Sequence, residues 1–293
     1  MKIFDCTTYF NEDLMMDVRF HVLDKYVEKF IVTEATYSHS GKKKNLNFDI
    51  NKYPKFKDKI IYLVIDEEPK NLTYYDGELL DMHKRLNSVK RIELSYDYMA
   101  KAISNIAEDD LVILSDNDEI PNLDSKQFQN CKKNVILFKQ LFFYYKFNLY
   151  YDLVPWYGSK ACKKKSLKSF SWLNNLKTKK YPFWRLDTYF SNNKLINLEI
   201  IENGGWHFTN LKSPEDLFKK FQNAGHHDEF NRSGITIEKL RKYIDDGIVF
   251  YNHFLDQTDP NKWKNNYKLK KIDLIKLPNY IKNNKDNFKN WLV

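Results

Sequence analysis

The chain has 293 residues, 48 Lys and Arg against 39 Asp and Glu for a net charge of +9, and is 42% hydrophobic and 16% aromatic. That is enough apolar material for one generous domain or two small ones, which excludes disorder and peptide-scale scaffolds. Eight glycines with no G-x-G-x-x-G or G-x-x-x-x-G-K exclude a glycine-loop nucleotide site, and three scattered cysteines, Cys6, Cys131 and Cys162, argue against a disulfide framework or a Cys-based zinc site.

In chain order, apolar runs at Ile3–Cys6, Phe30–Thr33, Ile60–Ile65, Leu111–Leu114 and Val135–Phe138 have the length and composition of buried strands. Between them lie helical patterns. Asn11 is the expected cap of a helix carrying Leu14, Val18 and Val22 at four-residue spacing, and a second helix is expected from about Val89 to Ala107. Strands alternating with helices predict an α/β fold with a mostly parallel, Rossmann-like sheet flanked by helices.

After residue 140 the texture changes. An aromatic-rich stretch, Phe142–Tyr151, precedes a run from Lys160 to Arg185 that is rich in lysine. This run reads as a basic surface segment, either merely solvated or placed to meet a diphosphate or an anionic acceptor. The Phe142–Tyr151 aromatics, with Trp156, Trp172 and Trp184, are candidates for sugar stacking or for core. Ser213-Pro214-Glu215-Asp216 starts a helix that Gly225 is expected to end, and a shorter helix is expected from Thr236 to Asp246. The tail, Leu274–Val293, mixes lysine with large apolar residues and reads as a docking helix or a membrane-surface contact. The expected organisation is a domain over 1–255 with a helical extension over 256–293 packed on it.

The sharpest local feature is Leu111–Ser115 running into Asp116-Asn117-Asp118-Glu119. If the chain stays extended, Asp116 and Asp118 project to one side at the carboxyl end of a sheet strand, where open α/β sheets bind ligands. Two hard oxygen donors there suit Mg²⁺ or Mn²⁺ holding a diphosphate. Read without a cation, the same residues make an Asx-rich turn. A second feature is Glu202-Asn203-Gly204-Gly205-Trp206-His207-Phe208, whose paired glycines admit a close backbone approach to a ligand. On its own, His207 reads as a core or hydrogen-bonded histidine. A third is Lys219-Lys220 followed by His226-His227-Asp228-Glu229, which offers cations for phosphate.

Phe4-Asp5-Cys6 with Asn11-Glu12, the segment Val32–Lys42, the block Asp109–Pro121 containing S-D-x-D-E-I-P, and Gly204-Gly205-Trp206-His207-Phe208 occur here in one order. In these elements the chain resembles glycosyltransferase family 17, which includes the β-1,4-mannosyl-glycoprotein 4-β-N-acetylglucosaminyltransferases. The resemblance spans roughly residues 1 to 250. It implies a GT-A fold and inverting, metal-dependent transfer from a UDP-sugar, usually of N-acetylglucosamine, to a glycan hydroxyl. It further implies Asp118 as a metal ligand, Asp116 nearer the ribose or metal waters, and His207 as a third ligand that favours Mn²⁺ over Mg²⁺. Glu34 would lie near the nucleoside, and Lys220 and His226 would address the diphosphate. For the catalytic base, Asp187 and Glu202 are the two candidates, with a structural salt bridge as the alternative for each. Members often carry an E-x-x-x-R-N-like stretch in the helix before the D-x-D, whereas Glu93–Tyr98 here lacks the Arg.

Two other function classes stay open at this point. One is a catalytically degenerate sugar- or nucleotide-binding fold, suggested by the missing Arg. The other is a nucleic-acid-binding protein, suggested by the charge but opposed by the acidic 116–119 cluster, so nucleic acid is not the expected partner. The expected partners are a nucleotide sugar and a glycan acceptor, with a lipid-linked acceptor and a peripheral membrane contact left open. A cytoplasmic location is expected from the acid at residue five, the absence of a long apolar run behind it, and the cysteine usage.

Overall fold

The computed structural model describes residues 1–74, 81–223, 227–255, 259 and 261–293. Strands β1 (Ile3–Thr8), β2 (Lys29–Ala35), β3 (Ile60–Ile65) and β4 (Leu111–Ser115) lie in the order β4-β1-β2-β3 and are all parallel. Helix α1 (Asp13–Leu23) joins β1 to β2, and α2 (Asp81–Asp97) leads towards β4. Both faces of this sheet are covered, which is why its strands read as unbroken apolar runs. Ile3, Val32, Leu111 and Ile113 face one core with Met16 and Phe20 of α1. Phe4, Cys6, Ile31, Val112 and Leu114 face a second with Tyr96, Met99 and Ile103.

The chain then forms β5 (Glu119–Pro121), α3 (Lys126–Gln129), β6 (Val135–Tyr144), β7 (Leu149–Tyr150), β8 (Trp156–Lys163), α4 (Phe170–Asn174), β9 (Glu199–Ile201) and β10 (Gly205–Thr209). β8 lies between β4 and β6 and is antiparallel to both, while β6 is parallel to β9 and β10. The sheet is therefore mixed, parallel in its first half and interrupted by β8. The second half of β8, Lys160–Lys163, lies in the segment expected to be basic surface. The strand's Gly158-Ser159-Lys160-Ala161-Cys162 lacks β-branched residues, and its lysines mask the burial. Lys160 is buried, and its Nζ donates to the carbonyl oxygens of Asn174 and, at 3.3 Å, Leu176. Lys163 pairs with Leu111 at the amino end of β4, and Lys163 and Lys165 both bind Asp109. They stand at the opposite end of β4 from Asp116, so this part of the basic run does not close over a diphosphate there.

Helices α5 (Pro214–Asn223), α6 (His227–Arg232) and α7 (Ile237–Asp245) follow. Thr236 caps α7 through Lys239 N at 3.3 Å, as the sequence predicts. Gly225 lies outside the described residues. At α1 the expected cap is displaced: Glu12 occupies the cap position, and its carboxylate accepts from the N–H groups of Phe10 and Asn11. The second helix starts earlier than expected, and after Asp97 it tightens into a 3₁₀ turn over Tyr98–Ala102.

The C-terminal part is less helical than expected. Among the described residues it contributes β11 (Ile248–Val249) paired with β12 (Tyr267–Lys268), β13 (Lys270–Lys271) paired with β7, and a short α8 (Asn279–Asn283) flanked by 3₁₀ turns over Leu274–Lys276 and Lys289–Trp291. Leu277, Ile281 and Phe288 are buried in the first core, and the Tyr280 ring stacks on His21 at 4.1 Å. These apolar residues are committed inward, so they offer no membrane-facing stripe. Among the described residues no helix is long and apolar enough to cross a membrane.

Candidate active site

The chain leaves β4 at Asp116 and turns, with Glu119 N donating to Asp116 O at 3.1 Å. The expected extended projection of the two aspartates does not occur. The turn crowds them instead, and β5 then runs antiparallel to β10 with Glu119 opposite His207. Two further contacts fix the turn. Phe208 N donates to Asp118 O at 2.8 Å, and Arg19 Nη1 donates to Glu119 O at 2.6 Å.

Two side chains from different elements meet at Asp118. His207 of β10 places Nε2 3.4 Å from Asp118 Oδ1, and Lys220 of α5 places Nζ 3.7 Å from Oδ2 and 3.2 Å from Asn210 Oδ1. The His207 ring is held between Phe142 and Trp156, with ring centres 4.5 and 4.3 Å away and planes nearly parallel. Burial pushes the Asp118 carboxyl up, but His207 and Lys220 beside it outweigh that and hold it below the usual carboxylate range. Asp116 goes the other way. The surrounding protein and the Asp118 charge push its pKa up, although Tyr96 OH donates to its Oδ1 at 2.7 Å. Glu119 is buried and pushed up to about 7 by burial and by Asp116, with Trp156 Nε1 donating to its Oε1 at 2.8 Å.

Beside Asp118 opens a cavity of about 540 Å³ lined by Glu12, Asn210, Lys212, Lys220 and Arg241 among others. Lys212 is held there by Glu12 at 3.4 Å and by Asn11. A smaller hollow of about 100 Å³, between Phe10, His39, Asn117 and Lys220, adjoins it.

The donor set fits a divalent cation in part. Asp118 and His207 supply one hard oxygen and one imidazole nitrogen side by side, and the mutual repulsion of Asp116, Asp118 and Glu119 is what a cation relieves. Among the described residues no group of three or more His, Cys, Asp or Glu side chains is placed to hold a metal ion together. A Mg²⁺- or Mn²⁺-type ion that keeps water and phosphate oxygens in its shell needs only one or two protein ligands.

The remaining candidates lie elsewhere. Glu34 is fully engaged: its carboxylate accepts from Lys44 Nζ, Asn47 N, Phe48 N and Tyr62 OH, so it anchors the 44–48 loop. Glu202 is exposed and paired with Lys139 at 2.7 Å. Lys139 lies three residues before Phe142, the β6 partner of His207, about 10 Å away along the strand. Asp187 is exposed and bound by Arg185 at 2.6 Å and Lys194 at 2.7 Å. Both proposed bases are thus in salt bridges whose partners are outside the Asp118 cluster. His226 lies outside the described residues. The paired glycines serve backbone packing against backbone rather than against a ligand. A Cβ on Gly204 would lie 2.7 Å from Lys139 N, and one on Gly205 2.1 Å from Ile120 O.

Sequence reasoning missed Arg19, Tyr96 and Lys212, gave Asp5 no role of its own, and held Trp156 only as a sugar-stacking or core aromatic rather than as a partner of His207 and Glu119. For Arg19 a signal existed, since it shares the stripe of Met15 and Leu23 on the buried face of α1. Its partner Asp5 is likewise a carboxylate inside an apolar strand.

Over 118 residues, 39% of this chain, the sequence is 29% identical to the β-1,4-mannosyl-glycoprotein 4-β-N-acetylglucosaminyltransferases of Homo sapiens and Rattus norvegicus. The match covers 21% and 20% of those proteins, so the chain spans about a fifth of the length of the curated relatives it matches. Among solved structures, HddC from Yersinia pseudotuberculosis complexed with GMP-PN is similar at a TM-score of 0.34 and 11% identity, covering 75% of this chain and 97% of that one. A second crystal structure of HddC from Yersinia pseudotuberculosis gives 0.33 and 11%, over 69% and 90%. Residues 1–293 as a whole match one family, and the chain belongs to glycosyltransferase family 17.

Proposed function

We propose that this chain transfers a sugar, N-acetylglucosamine, from a UDP-sugar to a glycan hydroxyl with inversion, using Mn²⁺ or Mg²⁺. The observation that carries the reading is the convergence of Asp118, His207 and Lys220 beside a 540 Å³ cavity at the carboxyl end of β4 in a family 17 chain. Asp118 and His207 would hold the metal. When bound, it supplies a Lewis acid for the charge that develops on a departing nucleoside diphosphate. Lys220 presents an ammonium to the same phosphates, a fixed charge aimed where negative charge accumulates. Phe142 and Trp156 orient the imidazole, and Arg19 keeps the 116–119 turn in place, so the site is organised before substrate arrives.

The test is UDP release and product formation from a panel of nucleotide sugars with Mn²⁺. Turnover with UDP-N-acetylglucosamine that EDTA and Asp118→Ala abolish supports the reading. Turnover with a different donor corrects the sugar. No turnover with any donor, while UDP still binds, leaves a nucleotide-binding fold without catalysis.

A further inference from the structure

We propose that the loop over residues 177–194 is a docking surface for an anionic lipid bilayer. Within eight residues it exposes five large apolar side chains, Phe183, Trp184, Leu186, Tyr189 and Phe190, each between 64 and 92% accessible. Apolar residues so densely exposed mark an interaction site rather than ordinary surface. The loop is not held open by chance. Tyr181 and Thr188 are buried, Lys177 N donates to Asn193 O at 2.9 Å across its base, Thr188 Oγ1 donates to Arg185 O, and Tyr189 OH donates to Phe183 O.

The charge says what covers it. Residues 177–194 contain Lys177, Lys179, Lys180, Arg185 and Lys194 against a single acid, Asp187. Asp187 is bound by Arg185 and Lys194, which leaves exposed Lys177 and Lys179 on the flank of the aromatic tip. Trp, Tyr and Phe above a lysine collar are the chemistry of a membrane interface: the rings enter the headgroup region and the lysines meet anionic lipid. A single-stranded nucleic acid calls for aromatic planes along a basic groove. Here Leu186 and the nearly free Phe190 offer apolar bulk, and the neighbouring rings of Phe183 and Trp184 stand edge to face.

The position gives the contact a use. The loop begins next to Leu176, whose carbonyl accepts from Lys160, and Lys160 pairs with Leu114 at the carboxyl end of β4, the end that carries Asp118. A protein docked through this loop holds that end of the sheet near the bilayer, where a lipid-anchored acceptor is presented. The docking itself does not depend on the transfer reading, and its test needs no turnover.

The experiment is co-sedimentation of the full chain with vesicles of phosphatidylcholine, alone or mixed with phosphatidylglycerol. Binding is expected only to the mixed vesicles and should weaken as salt is raised. Trp184→Ser with Phe190→Ser, and separately Lys177→Glu with Lys179→Glu, should each lower the partition coefficient about tenfold or more. Lys285→Glu with Lys289→Glu in the tail should leave it unchanged, and all variants should keep the parent's thermal transition because the altered side chains are solvent-facing. The proposal is overturned if mixed vesicles do not retain the protein, or if the loop variants bind as well as the parent. It is also overturned if the loop variants abolish self-association or retention by single-stranded RNA without affecting vesicles.

Discussion

Arg19 of α1 forks onto Asp5 of β1, Nε to Oδ2 and Nη2 to Oδ1, both at 2.6 Å, and both side chains are buried. The third arm of the guanidinium donates to the carbonyl oxygen of Glu119, so one buried ion pair ties the first strand to the end of the Asp116–Glu119 turn. Removing one partner strands the other charge in the core. Arg19→Met should cost about 3–5 kcal/mol in urea unfolding, and Asp5→Leu combined with Arg19→Met should cost less than the sum of the two single changes. Arg19→Lys should not restore stability, because an ammonium lacks the planar fork. Equal stability of Arg19→Met and the parent would show that the pair does not hold the turn.

Lys220 touches Asp118 without sharing its proposed metal role, so the two should separate kinetically. Lys220→Met should raise KM for the nucleotide sugar by roughly tenfold and also lower kcat, while Mn²⁺ binding, measured by calorimetry, stays intact. Asp118→Asn should lose Mn²⁺ binding and lower kcat by about 10²-fold or more. If both variants lose metal alike, Lys220 acts on Asp118 rather than on phosphate.

The parallel half of the sheet was legible because strands covered on both faces must be apolar throughout, and Ile60–Ile65 matches β3 to the residue. The D-x-D was legible as a pair of acids at a strand end. Its shape was not, because whether the chain turns at Asp116 depends on Arg19, about a hundred residues away. β8 was illegible for a related reason: Lys160 is tolerated inside the sheet only because the carbonyls of Asn174 and Leu176 come to meet its ammonium. The glycines at 204 and 205 were visible, but their purpose lay in strands not adjacent in sequence. Asp187 and Glu202 illustrate the limit from the other side, since a carboxylate beside a promising motif proved to be in a surface ion pair in both cases.

The two kinds of glycine constraint should give unequal costs. Gly205 has φ +128° and its Cβ would fall 2.1 Å from Ile120 O, whereas Gly234 has φ +65° with no neighbour within 4 Å. Gly234→Ala carries only the left-handed backbone penalty, about 1 kcal/mol. Gly205→Ala adds a clash with backbone that cannot rotate away, and should cost about 3 kcal/mol or more, since β5 must shift from β10. Thermal melts of both variants decide the point, with Gly205→Ala melting well below Gly234→Ala. Comparable melting temperatures would mean that the β5–β10 register adjusts freely.

His253 offers a pH test whose sign can be derived. Its Nε2 bonds Tyr144 OH within rings from Phe142, Tyr151, Trp156 and Tyr251, and burial, with the charge of His207, lowers its pKa from 6.5 to about 4. Above pH 6.5 the imidazole is neutral in folded and unfolded chains, and its contribution to stability is complete. Between pH 6.5 and 4 the unfolded chain binds a proton that the folded chain refuses, so stability falls as pH falls. From pH 7 to pH 5 this amounts to about 2 kcal/mol for His253. Glu119 acts in the opposite sense: with its pKa raised to about 7, the folded form keeps a proton that the unfolded form releases, which favours folding towards acid. That term is common to parent and variant, so the comparison must be made between them. His253→Gln, which retains an amide for Tyr144, should lose about 2 kcal/mol less than the parent over that interval when urea unfolding is repeated at each pH. Parallel stability curves for the two proteins would show that His253 titrates in the fold as it does in the open chain.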